Sequence, residues 1–187
     1  MKIDLLDITC EELAVELGAD SSLIEDLPRP DIDLEGRYRY LSHRIMSNLW
    51  KRNDKPNLSL NLGKRPNIVN WIRSRTYVSI SQLHSESVSD DSTRKFLWKL
   101  QDGETIESVL IPSRGSQSLN TLCISSQVGC AMACKFCLTG TQGLKRHLTS
   151  SEIISQVYTV SRIYSVNKIV FMGMGEPLHN LQNIERS

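Results

Sequence analysis

The spacing of apolar positions changes along the chain, and the changes divide it. Leu13 and Leu17 fall on one helical face, Thr9 followed by Glu12 has the form of a capping box, and Gly18 stands where a helix stops. The pattern predicts a helix over 3–17. Leu27-Pro28-Arg29-Pro30 reads as a linker, because two prolines disfavour helix. Leu41, Ile45 and Leu49 recur at helical spacing and predict a second helix from about 37 to 50. Residues 53–63 are polar and turn-rich. A third helix is expected from Pro66, a favoured first-turn residue, through Ile68, Val69 and Ile72.

After Ser92 the period shortens. Lys95–Leu100 and Thr105–Pro112 are β-prone runs separated by Gln101-Asp102-Gly103-Glu104, and Asp-Gly in that place signals a hairpin. A loop over 113–118 precedes a further strand, Thr121–Ser125. Thr149-Ser150-Ser151-Glu152 is a second capping box. It opens a helix with Ile153, Ile154, Val157, Val160, Ile163 and Tyr164 on one stripe. Lys168–Met172 is a short apolar run, as expected for a buried parallel strand.

Strand, loop, helix, strand makes one βαβ unit. The expected fold class is α/β, in three parts. Residues 1–90 form a helical domain, 91–121 a β-hairpin connector, and 122–187 the start of a larger core. One βαβ unit cannot bury both faces of a parallel sheet. The expectation is therefore a fragment, a short gene product, or a chain completed by a partner.

Composition is ordinary for a globular protein, with 40% hydrophobic and 23% charged residues. No apolar stretch approaches the roughly 20 residues of a transmembrane helix, so no membrane role is expected. Acidic residues interrupt the N-terminal apolar run, a poor targeting signal. Together these make a cytoplasmic location the expectation. The net charge of +1 is uninformative, but its distribution is not. The first 35 residues are acidic, whereas Arg37 to Arg75 is basic, with Tyr38, Tyr40, Trp50 and Trp71 interleaved. Such a segment suits phosphate contact and base stacking. A solvated helical face with buried aromatics explains it equally well.

The candidate chemistry lies in Gly129-Cys130-Ala131-Met132-Ala133-Cys134-Lys135-Phe136-Cys137. Three thiolates at C-x3-C-x2-C spacing can hold three irons of a [4Fe–4S] cluster, leaving one iron open to a small molecule. That is the local signature of radical S-adenosylmethionine (SAM) enzymes. A zinc site is the competing reading. It takes four closed ligands, and His147 is the nearest candidate for the fourth. A disulfide framework is disfavoured by five cysteines without dense small-domain spacing.

The segment from Thr121 to Cys137, with Thr141-Gln142-Gly143-Leu144, Ser151-Glu152-Ile153-Ile154 and Met172-Gly173-Met174-Gly175-Glu176-Pro177-Leu178, resembles the RlmN/Cfr family of radical SAM RNA methyltransferases. The resemblance extends upstream through Arg94–Leu97 and Glu107–Pro112 to Val78–Ser81, and covers the helical N-terminus more weakly. It implies that 122–187 is the first βαβ unit of a truncated radical SAM partial (β/α) barrel, with 1–90 an RNA-binding accessory domain.

The implied activity is methylation of adenosine C2 in 23S ribosomal RNA and tRNA, through a methyl-cysteine and a 5′-deoxyadenosyl radical. The implied cofactors are a [4Fe–4S] cluster and SAM. The full-length parent would be a monomer, reduced by an external electron donor such as flavodoxin. C2 of adenine is a poor nucleophile towards the SAM methyl, so a radical route avoids ordinary displacement.

Residue by residue, the resemblance makes Cys130, Cys134 and Cys137 the cluster ligands. Cys123 becomes a resolving cysteine that forms a disulfide during product release, and Glu107 the proton acceptor. Gly175 and Glu176 fall in the SAM-binding motif, and Phe136 at an aromatic position near the SAM adenine. The methyl-carrying cysteine matches no position here, and Cys10 is not a substitute. Catalysis by this chain alone is therefore not expected. The C8-methylating branch of the family shares these motifs, and a non-catalytic RNA-binding or iron–sulfur remnant is the alternative of a different class.

Overall fold

The computed structural model describes residues 2–49, 65–113 and 119–187. They form two compact units, Met1–Val78 and Ser79–Ser187.

The first unit contains β1 (Ile3–Asp4), α1 (Cys10–Gly18), a 3₁₀ turn (Ser21–Asp26), α2 (Leu34–Leu49), α3 (Pro66–Arg75) and β2 (Thr76–Tyr77). The helix expected over 3–17 begins only at Cys10. Upstream, β1 pairs in parallel with β2, the Leu5 N–H donates to the Tyr77 carbonyl at 2.9 Å, and the Asp4 carboxylate accepts the Leu6 N–H at 3.0 Å. Thr9 then starts α1 through the capping box. Its Oγ1 accepts the Glu12 N–H at 3.2 Å, and Glu12 Oε2 accepts the Thr9 N–H at 2.9 Å. Such a cap is worth about 1 kcal/mol.

Leu13, Leu17, Leu41, Ile45, Ile68 and Ile72 are buried at helical spacing, with Tyr38 and Trp71 among them. For these two aromatics burial, not base stacking, is what the fold shows. Tyr40 is different: Arg29 and Arg44 lie over its ring at 5.6 and 5.9 Å. The two-proline linker is tied to α2, because the Arg37 guanidinium donates to the Pro28 carbonyl at 3.1 Å and the Leu27 carbonyl at 2.7 Å. Trp50 and the turn-rich stretch 53–63 lie outside the described residues.

The second unit contains β3 (Gln82–Val88), β4 (Arg94–Lys99), β5 (Thr105–Pro112), β6 (Asn120–Cys123), β7 (Gln127–Gly129), α4 (Leu138–Thr141), β8 (Leu144–His147), α5 (Ser150–Ile163), β9 (Lys168–Val170), a 3₁₀ turn (Pro177–Asn180) and α6 (Leu181–Arg186). Five strands form one sheet in the order β3-β4-β5-β6-β9, and β7 pairs with β8. All pairs are antiparallel except β6 with β9, whose connection carries α5. The architecture is mixed α/β.

The hairpin of β4 and β5 turns where Asp102-Gly103 predicts, with Gly103 at φ 87° and the Leu100 N–H donating to the Glu104 carbonyl at 2.8 Å. β3 carries no sequence signal, because residues 82–88 are all exposed. It is held by its ladder to β4 and by Glu86, which accepts from the Tyr164 hydroxyl at 2.9 Å. Alternation sends Phe96, Trp98, Ile106 and Leu110 to one face, where they join Leu122 of β6 and Ile153 and Val160 of α5 in the core. Trp98 Nε1 donates to the buried Ser108 Oγ at 2.6 Å, so the indole enters the core with its polar atom paired.

Two segments differ from expectation. The 121–125 strand ends at Cys123 because Ile124 and Ser125 turn to meet the loop after β9. The 168–172 run is not a buried strand. β9 stops at Val170 and occupies the sheet edge, with Lys168 and Ile169 exposed. No described helix is long and apolar enough to cross a membrane.

Candidate cofactor site

β7 delivers the chain to the cysteine loop. Gly129 stands at φ 74°, and a Cβ there would collide with the Gly143 carbonyl oxygen, so the start of the loop requires glycine. The Cys130 N–H then donates to that carbonyl at 3.0 Å. Ala133 sits at φ 49°, a left-handed conformation that a non-glycine residue adopts at a cost. The Cys137 N–H closes the turn on the Cys134 carbonyl at 3.0 Å, and Cys137 caps α4.

Cys130 is buried, Cys134 exposed and Cys137 half-buried. Among the described residues no three His, Cys, Asp or Glu side chains converge as a group that could hold a metal ion. Three thiols are nonetheless the donor type that a [4Fe–4S] cluster takes. Each thiol of a [4Fe–4S] cube binds its own iron, so its ligands stand further apart than those around one zinc. His147 does not join the loop. Its Nδ1 lies 3.0 Å from Gln127 Nε2. Phe136, between the second and third cysteines, is 93% exposed and takes no part in the core.

The loop after β9 is built onto the segment that precedes the cysteines. The Ser126 and Gln127 N–H groups donate to the Met174 carbonyl at 2.9 and 3.2 Å, and the Gly173 N–H donates to the Ile124 carbonyl at 3.1 Å. The Met174 N–H donates to Ser125 Oγ at 2.8 Å, and that hydroxyl donates to the Glu107 carbonyl at 2.5 Å. Gln127 Oε1 accepts the Glu176 N–H at 2.8 Å.

Gly175, at φ 102°, packs against Gln127, and a Cβ there would lie 2.5 Å from the Gln127 Cβ. The glycine is thus needed for packing within the chain. The Glu176 carboxylate accepts the Leu178 N–H at 3.1 Å and caps the following turn. Gln156 of α5 supports the same hub: its Oε1 accepts the Ser125 N–H and its Nε2 donates to the Ser125 carbonyl, both at 3.0 Å. Asn180 Nδ2 donates to the Ser126 and Leu148 carbonyls at 2.8 and 2.9 Å.

Glu107 and Cys123 point to the sheet face opposite α5. Val109, two residues from Glu107 on that face, pairs with Cys123, which pairs with Val170. The Glu107 carboxylate meets Lys95 Nζ at 3.1 Å. Burial raises the pKa of the Cys123 thiol, and a hydrogen bond with the Met172 backbone partly opposes it. Burial thus favours the thiol over the thiolate. All five cysteines are free, so the disulfide implied by the family resemblance is not formed here.

The sequence assigns no role to Ser125, Gln127, Gln156 or Asn180, although Ser125 and Gln127 lie in the segment that carries the resemblance. Their only signal is that Ser125-Ser126-Gln127 lies between apolar runs without a polar face to serve. All four are buried, and their side chains bond to the Ser125–Ser126 backbone or to the loop after β9.

No protein-family model matches the chain. Known proteins do. A dual-specificity RNA methyltransferase RlmN of Geotalea uraniireducens is 40% identical over 190 residues, covering 98% of this chain and 48% of the relative. The protein of the same name from Geobacter sulfurreducens is 46% identical over 157 residues, covering 82% and 41%. Among solved structures, a radical SAM methyltransferase from Sphaerobacter thermophilus superposes with a TM-score of 0.76 at 30% identity, covering 98% of this chain and 50% of that one. The chain spans about half the length, or less, of the relatives it matches. Across the part of those proteins that it spans, the chain is similar to RlmN RNA methyltransferases and to a radical SAM methyltransferase.

Proposed function

We propose that this chain is the cluster- and SAM-binding portion of a methyltransferase that forms 2-methyladenosine in 23S ribosomal RNA and tRNA. One observation carries the reading. The Gly173–Glu176 turn and the entry to the cysteine loop, far apart in sequence, are bonded to each other through Ser125, Ser126 and Gln127. A ligand on an open iron of the cysteine loop would have the turn beside it.

In this reading Cys130, Cys134 and Cys137 hold a [4Fe–4S] cluster whose reduction, with SAM bound, supplies the radical chemistry. Phe136 packs near the SAM adenine, and Gly175 and Glu176 receive its amino group. Glu107 takes the C2 proton on the face it shares with Cys123, the resolving thiol. Residues 1–90 contact RNA through the basic segment Arg37 to Arg75, and 122–187 begins a partial (β/α) barrel. An external donor such as flavodoxin reduces the cluster. The parent acts as a cytoplasmic monomer.

The test is anaerobic reconstitution of the chain with iron and sulfide, then incubation with SAM, a reductant and RNA. Because the methyl-carrying cysteine matches no position here, release of 5′-deoxyadenosine is the expected result; 2-methyladenosine in the digested RNA would extend the reading to the C2 activity, and 8-methyladenosine would assign the other branch. Cleavage without RNA product supports the cofactor half alone. Absence of SAM cleavage and of SAM binding would refute it.

A further inference from the structure

We propose that Gln127 is a positioning residue for Glu176, and that His147 Nδ1 accepts from the other end of its carboxamide. This rests on the reading of Glu176 as a contact for the SAM amino group. Gln127 is fully buried. Its side chain spans two elements of the site: Oε1 accepts the Glu176 N–H at 2.8 Å and Nε2 meets His147 Nδ1 at 3.0 Å. Its backbone N–H donates to the Met174 carbonyl at 3.2 Å, so one residue holds the turn at two points.

The roles follow from donor chemistry. The Glu176 N–H needs an acceptor, which assigns Oε1 to it. The other end of the amide is then an NH₂, a donor only. His147 Nδ1 must accept, so its ring proton sits on Nε2. A Gln rotated by 180° would set its NH₂ against the Glu176 N–H and lose that bond, whichever tautomer His147 adopts. The histidine thus does more than fill space on β8: with Nδ1 bare, it accepts from the amide orientation that the Glu176 N–H selects. Gly175 completes the arrangement, because only a residue without Cβ lets the turn lie against the Gln127 stem.

The experiment uses the full chain and two substitutions of similar size. Gln127→Glu keeps an acceptor for Glu176 and offers His147 only acceptors. Gln127→Met keeps the bulk and offers neither group. Imidazole ¹⁵N spectra of the unsubstituted chain at neutral pH are expected to show His147 protonated on Nε2 and bare on Nδ1. In Gln127→Glu the proton should appear on Nδ1. Amide exchange at Glu176 should rise roughly tenfold in Gln127→Met, the size of one hydrogen bond, and change little in Gln127→Glu.

SAM affinity of the reconstituted chain should follow the same order, falling roughly tenfold for Gln127→Met and less for Gln127→Glu. A His147 ring protonated on Nδ1 in the unsubstituted chain overturns the proposal. So does Glu176 exchange unchanged in Gln127→Met. If Gln127→Met does not fold, the His147 spectra of the other two proteins decide. Glu176→Ala separates the two layers. Full SAM affinity in that variant refutes Glu176 as a contact while leaving the exchange result intact. Lost affinity in Glu176→Ala with full affinity in Gln127→Met refutes the positioning role alone.

Discussion

The apolar side of the sheet and the polar hub at the end of β6 are both buried, yet they hold their shape differently. Between β4, β5, β6 and α5, Phe96, Trp98, Ile106, Leu122, Ile153 and Val160 exclude water, and volume decides what fits. Around Ser125, Gln127, Gln156 and Asn180, direction decides, because each polar atom has an assigned partner. The first region supports a fold. The second fixes two loops relative to each other, which the proposed chemistry demands.

The largest expected effect tests the apolar region. Phe96→Ala should lower unfolding free energy by about 3–5 kcal/mol in denaturant titration. Leu122→Met keeps the volume and should cost less than about 1.5 kcal/mol. The same kind of swap separates the hub. Gln156→Met leaves the Ser125 N–H and carbonyl unpaired and should cost about 1–3 kcal/mol despite its fit. If Gln156→Met is as mild as Leu122→Met, the contrast between the regions fails.

A smaller effect concerns pH. Hydrogen bonding to Arg146 lowers the pKa of Asp102, which ties the hairpin turn to β8, where Arg146 also meets Glu152 at 2.8 Å. The folded carboxyl therefore ionises more readily than the unfolded one. Its contribution is present above the ordinary carboxylate range and is lost as pH falls below about 4. Asp102→Asn should flatten the acid limb of a stability profile by a small amount, since the pair is partly exposed and screened by solvent.

Burial raises the pKa of the Cys123 thiol, so its alkylation at neutral pH should be much slower than that of exposed Cys134, as read by peptide mass spectrometry. Smallest of all, Lys95→Met should change stability by less than about 1 kcal/mol, because its ion pair with Glu107 is about half exposed.

The same contrast decides what the sequence reveals. Helix α5 and the β4–β5 hairpin were legible because burial imposes a period and turns demand glycine. The second capping box was legible because it reuses a fixed spacing, and Thr149 and Glu152 form it as read. The hub was not legible. Ser125, Gln127 and Asn180 serve partners distant in sequence, and no local pattern records a long-range hydrogen bond.

β3 was missed for a simpler reason: an exposed strand carries no apolar stripe. The start of α1 was misplaced because Leu5 and Leu6 are buried by a turn and a strand rather than by a helix. The three cysteines were found at once, but their spacing conveyed only the donor set, and the fold adds the glycine-dependent entry and the tethered turn beside them.

The central claim is that Cys130, Cys134 and Cys137 hold a [4Fe–4S] cluster. The most direct measurement is iron and acid-labile sulfide per chain after anaerobic reconstitution, repeated with each of the three cysteines changed to alanine. The account predicts about four of each in the unsubstituted chain and loss in all three variants. One tightly bound zinc, or less than one iron per chain, would contradict it.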